Sequence, residues 1–346
     1  MTNLLYKYKM DERNFLNYDK SQMVKAYEQW PNIAEEVYEK NNYEVCDFKN
    51  IKHIAFAGMG GSGTVGEIFS SILSKSGIHT SVIRSHLLPK TVNEETLVVI
   101  TSISGNTEES LSIIKEAKKK NIQTIAYSSG GKIKEFCNNN QIKFQYLEKI
   151  HSPRTSLPSA LYTMLKTLGP QFDISKNEVV NSINQMKKTK EKINSSQINE
   201  KNPSMKLAKW ISGIPVIYYP HGLEAAAIRF KNSLQENAKI HVVAEEVLEA
   251  CHNGIMSWER TSDMRCVLIR GADDHSKTKA RLEIIKQYFN EKNIPFYEIN
   301  SVTGDLLSKI INLVYELDFT SIYHALINQI DPSPLKSIEY IKENMK

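Results

Sequence analysis

Short apolar runs rich in β-branched residues alternate, along the first half of the chain, with stretches whose apolar residues recur every three or four positions. The runs at 53–57, 79–83, 96–101, 122–127 and 142–146 predict strands. Helical spacing predicts helices at about 62–75, 106–120 and 131–138 between them. Short apolar strands rich in β-branched residues and separated by helices predict a parallel sheet covered on both faces. Upstream, 21–40 reads as a helix, with Trp30-Pro31 forcing a break or a fresh N-terminus. Downstream, Pro153-Arg154-Thr155-Ser156 starts another helix through Leu161, Met164, Leu165 and Leu168, which Gly169-Pro170 ends.

Residues 175–201 are polar and rich in Lys, Asn and Ser, with helical spacing at Val179, Ile183, Met186 and Ile193. They make 173–202 the candidate linker, a helical one, between domains at 1–172 and 203–346. Alternation then resumes, with strands at 214–219, 266–269 and 295–299 and helices at 223–234 and 278–289. Helices at 304–317, 319–329 and 336–345 are expected to close the chain. The halves read as a degenerate duplication, since Ala55–Leu73 parallels Val216–Leu234 and Ile100–Lys120 parallels Ile269–Phe289.

Chemistry concentrates where the third strand ends. Ser102-Ile103-Ser104-Gly105-Asn106-Thr107 separates the apolar run Leu97–Ile100 from the helical pattern Leu111, Ile113, Ile114, Ala117. Such a turn offers three hydroxyls, a glycine for close backbone approach, and the free N–H groups of a new helix. It holds no Lys or Arg, which suits a small phosphomonoester that must be released again. The first strand ends in a similar turn, Gly58-Met59-Gly60-Gly61-Ser62-Gly63. Gly58, Gly60 and Gly63 also match the dinucleotide-binding fingerprint. That reading wants an acid at the end of the next strand, which ends instead in Arg84. In the second half the corresponding turns are Tyr219-Pro220-His221-Gly222 and Arg270-Gly271-Ala272-Asp273. The serines are gone and an acid has arrived, so the phosphate is expected in the first half alone.

Length and composition change this picture little. With 346 residues, 41% hydrophobic and 24% charged, the chain has room for two ordinary globular domains. A net charge of +5 is spread along it, and the lysines at 118–120 and 187–188 read as helix ends or solvated faces. No aromatic residues interleave with them and no nucleic-acid-binding signature is present, so no nucleic-acid partner is expected. Cys46, Cys137, Cys251 and Cys266 form no C-x-x-C pair and fit no zinc spacing, which predicts free thiols in a cytoplasmic protein. The stretch from Met1 to Phe15 has no apolar signal core, and no apolar run approaches the roughly 18 residues of a membrane span. Asp273-Asp274-His275 reads as a helix cap and first turn rather than a metal cluster. No metal and no cofactor are expected.

The ordered set Gly58-Met59-Gly60-Gly61-Ser62, Ser102-x-Ser104-Gly105-Asn106-Thr107-Glu108, Pro153-Arg154, Glu236-Asn237-Ala238-Lys239 and His252-Asn253 resembles the sugar isomerase (SIS) domain proteins. It resembles most closely the bifunctional phosphoglucose/phosphomannose isomerases, over nearly the whole chain. The resemblance implies an α/β fold of two SIS-type doubly wound domains, each a parallel sheet flanked by helices, with extra N- and C-terminal helices. It implies a phosphorylated hexose as substrate, and a homodimer is the expected assembly. Gly61, Ser62, Ser102, Ser104 and Thr107 would hold the phosphate. Glu236 would shuttle a proton between C2 and C1, Arg154 would sit against the enediolate and the base, and His252 would assist ring opening. Ile338-Glu339-Tyr340-Ile341-Lys342 fits the family's C-terminal lysine pattern, which makes Lys342 the candidate ahead of Lys336. Ala250-Cys251 before the His-Asn pair and Thr155-Ser156 after Pro-Arg depart from the pattern and leave substrate preference open. An amino-sugar phosphate deaminase or deglycase, or a non-catalytic sugar-phosphate-binding protein, are the alternatives within the same fold.

Overall fold

The computed structural model describes residues 15–40, 43 and 45–345; the polar stretch at 1–14 lies outside the described residues. Helices α1 (Met23–Glu28) and α2 (Trp30–Glu39) open the described chain, and Pro31 in the first turn of α2 marks the fresh start that its ring imposes. Then follow β1 (His53–Ala57), α3 (Gly61–Ile72), β2 (His79–Ile83), β3 (Thr96–Ser102), α4 (Glu108–Lys119), β4 (Gln123–Ser128), α5 (Gly131–Asn140) and β5 (Lys143–Tyr146). Helices α6 (Leu157–Leu168), α7 (Lys176–Ile193) and α8 (Pro203–Trp210) lead to the second half. That half comprises β6 (Ile214–Tyr219), α9 (Glu224–Ser233), β7 (Val243–Glu246), α10 (Val247–Ala250), β8 (Met264–Arg270), α11 (Ser276–Glu291), β9 (Phe296–Asn300), α12 (Leu306–Ile327) and α13 (Lys336–Asn344).

The first sheet has the order β2-β1-β3-β4-β5 and the second β7-β6-β8-β9, with every pairing parallel. The fold is therefore α/β with two parallel sheets flanked by helices, and the two sheets repeat one strand order. Alternation along the strands sorts their side chains between layers. Ile54, Phe56, Leu97, Val99, Ile217, Tyr219, Val267 and Ile269 all enter one core shared by the two sheets. Their neighbours Ala55, Ala57, Val98 and Ile100 pack under α4 and α5, and Val216, Tyr218, Cys266 and Leu268 under α10 and α11. Buried on both faces, these strands read as continuous apolar runs for that reason.

Two expectations need correction. The strand β7 has no apolar run to announce it; Val-Ala-Glu-Glu is a short edge strand, and pairing with β6 makes it one. The helices expected at 304–317 and 319–329 are a single 22-residue helix, α12. Asp318 reads as a boundary in sequence, but here it lies fully buried in mid-helix, where Arg229 neutralises it. The polar stretch 175–201 contains α7, whose Val179, Ile183, Met186 and Ile193 enter the shared core. Its Asn312–Thr189 contact ties it to α12, and its Lys187–Glu35 ion pair ties it to α2. Among the described residues no helix is long and apolar enough to cross a membrane.

Candidate active site

In the first sheet the chain leaves β1 toward β2 and leaves β3 toward β4, so the direction of winding reverses between β1 and β3. Ligands of open parallel sheets bind beyond the carboxyl ends of the strands at such a point. Both turns singled out by the sequence lie there. Register pairs Ala57 with Ile100, which sets Gly58 beside Thr101, whose carbonyl oxygen leaves no more room than glycine needs. After β3 the turn is organised by its own hydroxyls. Ser102 Oγ lies 2.9 Å from Thr107 Oγ1 and accepts the Gly105 N–H at 3.2 Å, and Ser104 Oγ accepts the Asn106 N–H at 3.3 Å. Gly105 has φ +69°, and a β-carbon there would strike Gly130 O, so only glycine fits. Neither Gly60 at the start of α3 nor Thr107 at the start of α4 caps its helix with a side chain. At α3 the Ser62 and Gly63 N–H groups already bond Met59 O at 3.1 and 3.4 Å, whereas no side chain of its N-cap residue meets the first turn of α4.

A charged cluster borders the glycine turn after β1, and the cleft beside it has Gly60 but not Ser62, Ser102, Ser104 or Thr107 among its walls. Arg154 is carried by a 3-10 turn, Arg154–Ser156, ahead of α6. Glu236 stands on a π-helical turn, Leu234–Ala238, that prolongs α9. Turns of this kind are rare and concentrate at functional sites. Arg154 Nη1 donates to Glu236 Oε2 at 3.1 Å, and its Nη2 donates to Pro332 O and Ser333 O at 2.9 and 2.8 Å. The arginine side chain is only 6% exposed and the glutamate 27%, so the carboxylate is reachable and its partner is fixed behind it. Gly61 joins the two parts of the site. A β-carbon on it would lie 3.6 Å from Arg154 Cα and 3.1 Å from Arg229 Nη1.

The carboxylate opens onto a cleft of about 880 Å³ whose walls include Gly60, Arg84, Lys231, Lys239 and Lys336. Lys239 Nζ donates to the Glu236 carbonyl and, at 2.9 Å, to Pro334 O. Burial, with Arg154 nearby, lowers the Lys239 pKa below the usual lysine range. Of the two C-terminal lysines, Lys336 lines this cleft, whereas Lys342 lies exposed further along α13 and is not among its walls. His252 is exposed in the turn after α10 and does not line the cleft either.

Both halves match families of known proteins. A SIS domain model matches residues 47–162, and a bacterial phospho-glucose isomerase C-terminal SIS domain model matches residues 200–345. A bifunctional phosphoglucose/phosphomannose isomerase from Aquifex aeolicus is 30% identical, covering 91% of this chain and 97% of its own. The chain belongs to the bifunctional phosphoglucose/phosphomannose isomerase family. Another protein of that description, from Caldicellulosiruptor bescii, is 28% identical over 94% of this chain and 96% of its own. The fold is shared with the C-terminal domain of glucosamine-fructose-6-phosphate aminotransferase from Francisella tularensis, with TM-score 0.67 at 17% identity, covering 89% of this chain and 96% of that one.

Within this member of the isomerase family, several site residues have no signature in the sequence. Arg229 is one residue of an ordinary helix, yet it is fully enclosed. Its Nε and Nη2 engage both oxygens of Asp318, and Nη2 also donates to Arg154 O at 2.8 Å. Burial opposes its charge, but Asp318 outweighs burial and raises its pKa above the ordinary arginine value. Breaking such a buried pair from one side costs about 3–5 kcal/mol. Lys239 lies inside the quoted Glu236–Lys239 motif, and its φ of +61° is a trace of the turn that a pattern of apolar residues does not record. None of the four cysteines is in a disulfide, and burial raises the Cys251 thiol above its usual value, away from thiolate reactivity.

Proposed function

We propose that this isomerase interconverts glucose 6-phosphate and mannose 6-phosphate with fructose 6-phosphate through a cis-enediol, with Glu236 as the base. The observation that carries this reading is the Arg154–Glu236 pair at 3.1 Å, with the Arg154 backbone packed against Gly61 of the glycine turn after β1. Gly61, Ser62, Ser102, Ser104 and Thr107 supply hydroxyl and backbone donors for a phosphate dianion. Glu236 takes the proton from C2 of the open-chain sugar as the C1 carbonyl oxygen gains negative charge, and returns it to C1 as the C2 carbonyl forms, the proton of the C2 hydroxyl passing to the C1 oxygen. The Arg154 guanidinium faces the negative charge that develops on the enediolate oxygens. Glucose and mannose 6-phosphates differ only at C2 and lose that difference in the enediol, so one base serves both.

Ring opening is assigned to His252. That histidine lies outside the cleft of its own chain, so the role calls for delivery from a second copy, in keeping with the expected homodimer. Co-expressed Glu236→Gln and His252→Ala chains then regain activity that neither has alone; no regain removes His252 from the mechanism. The active-site lysine is Lys336 or Lys342, and separate alanine variants tell them apart by loss of turnover. A coupled assay with both hexose 6-phosphates tests the whole reading. Fructose 6-phosphate forms from each; ammonia released from an amino-sugar phosphate, with neither hexose isomerised, would replace the reading by its deaminase alternative.

A further inference from the structure

The base and the anion turn belong to different halves of the molecule, and a fully buried arginine spans the seam between them. Arg229 sits on α9, seven positions before Glu236 on the same continuous helical segment. Its guanidinium is not among the walls of the cleft. Yet it reaches three pieces of the first half. Nη2 donates to the main-chain oxygen of Arg154 at 2.8 Å and to Tyr27 Oη at 3.3 Å, and Nη1 lies against Gly61 at the start of α3. The orientation is over-determined from behind. Asp318 of α12 takes Nε at 3.2 and 3.1 Å and Nη2 at 2.7 Å, and Ser233 Oγ donates to the other side of that carboxylate at 2.5 Å. The planar fork is what allows one side chain to hold a carboxylate along one edge and a backbone carbonyl at its tip.

We infer that Arg229 is a positioning residue for the proposed isomerisation: locked by Asp318, it holds the Arg154 turn at a set distance from Glu236 and from the phosphate turn. This rests on the reading of Glu236 and Arg154 given above. The physical consequence is specific. Lysine at 229 keeps the ion pair with Asp318 but has no second donor edge to reach Arg154 O, so the Arg154 turn loosens while the hydroxyls of the phosphate turn, carried by β3 and α4, stay in place.

Arg229→Lys is therefore expected to lower kcat at least tenfold, counted per folded chain by thermal unfolding. KM for the hexose 6-phosphates and competitive inhibition by inorganic phosphate should stay within about threefold. The decisive measurement is the double variant. If Arg229 acts through Arg154, Arg229→Lys has little further effect in an Arg154→Lys background; a merely structural arginine multiplies the loss in either background. Should Arg229→Lys fail to fold, Ser233→Ala, which loosens Asp318 while keeping both charges, is read in the same two backgrounds and should lower kcat in the first alone. A kcat within threefold of the parent, or fully multiplicative effects, overturns the inference. The parent enzyme is the control for the reading beneath it: no isomerisation of either hexose 6-phosphate there defeats that reading instead.

Discussion

At the carboxyl edge of the first sheet, helices α3 and α4 follow Gly60 and Thr107, neither of which caps its helix with a side chain, while the first turn of α5 is met by the Asn106 amide oxygen, which accepts the Lys132 N–H at 3.1 Å. The corresponding edge of the second sheet repeats the strand–turn–helix arrangement; α9 there is likewise uncapped by a side chain, but the next three helices are closed by the chain's own polar groups. Glu246 accepts the N–H groups of Leu248 and Glu249, His275 accepts that of Lys277, and Asp305 accepts that of Ser308. Asp274 takes the Gly271 N–H at 2.8 Å, and Asp273 is paired with Lys309. A helix N-terminus attracts an anion because its first N–H groups have no partner. Where a carboxylate of the chain already fills that role, a phosphate meets both occupied donors and a like charge. The two halves thus share an architecture and differ at this edge: carboxylates of the chain meet helix starts in the second half and none does in the first, while the second half contributes the Glu236 carboxylate from a prolonged helix.

The strongest way to break this division is at the base. Glu236→Gln keeps the shape and removes the proton acceptor, and loss of a general base costs about 100- to 10,000-fold in turnover. Glucose and mannose activities should fall together. Solvent deuterium should cease to enter C2, while inhibition by inorganic phosphate persists. A variant that still exchanges the C2 proton at the parent rate would falsify the assignment.

Next in size is the open edge itself. Ser104→Ala with Thr107→Val deletes two neutral donors to a dianion, each hydrogen bond to a charged group being worth roughly 1.5–3 kcal/mol. KM should rise by at least about tenfold per donor, and phosphate competition should disappear. An unchanged KM would place the phosphate elsewhere.

Arg154→Lys comes third. A point charge replaces a planar fork that now serves Glu236 and two carbonyls, so turnover should drop by roughly tenfold for each donor lost. Near-parent turnover would reduce Arg154 to a residue that starts a helix. The smallest effect belongs to the closed edge. Asp305→Ala removes an N-cap and should lower stability by about 1 kcal/mol, seen as a lower melting temperature. KM for the sugar phosphate should not move, and any change in it would mean that the second edge also meets substrate.

Much of this arrangement is written in short-range pattern. The inner strands β1, β3 and β4 of the first sheet are visible as largely apolar runs because burial on both faces demands them. The hydroxyl turn is visible because a strand, a glycine and an uncapped helix are contiguous in the chain. The edge strand β7 is invisible because half of its four residues are acids and pairing alone makes it a strand. A break in α12 at Asp318 is the natural reading of a charge among apolar residues. It is wrong because the compensating charge, Arg229, stands 89 positions away.

By itself, then, the sequence determined the alternation of strands and helices, the parallel sheets and the place of the anion turn, all of which depend on residues within one or two turns of each other. Tertiary structure alone decided that Arg154 would meet Glu236 across 82 positions of chain, that Lys336 and not Lys342 would line their cleft, and that His252 would lie outside it. Those outcomes depend on how two separately wound sheets share one core, and a pairwise contact between distant segments has no periodicity to betray it. The charge on Arg229 is tolerable only once Asp318 is beside it, and that adjacency exists nowhere but in the folded chain.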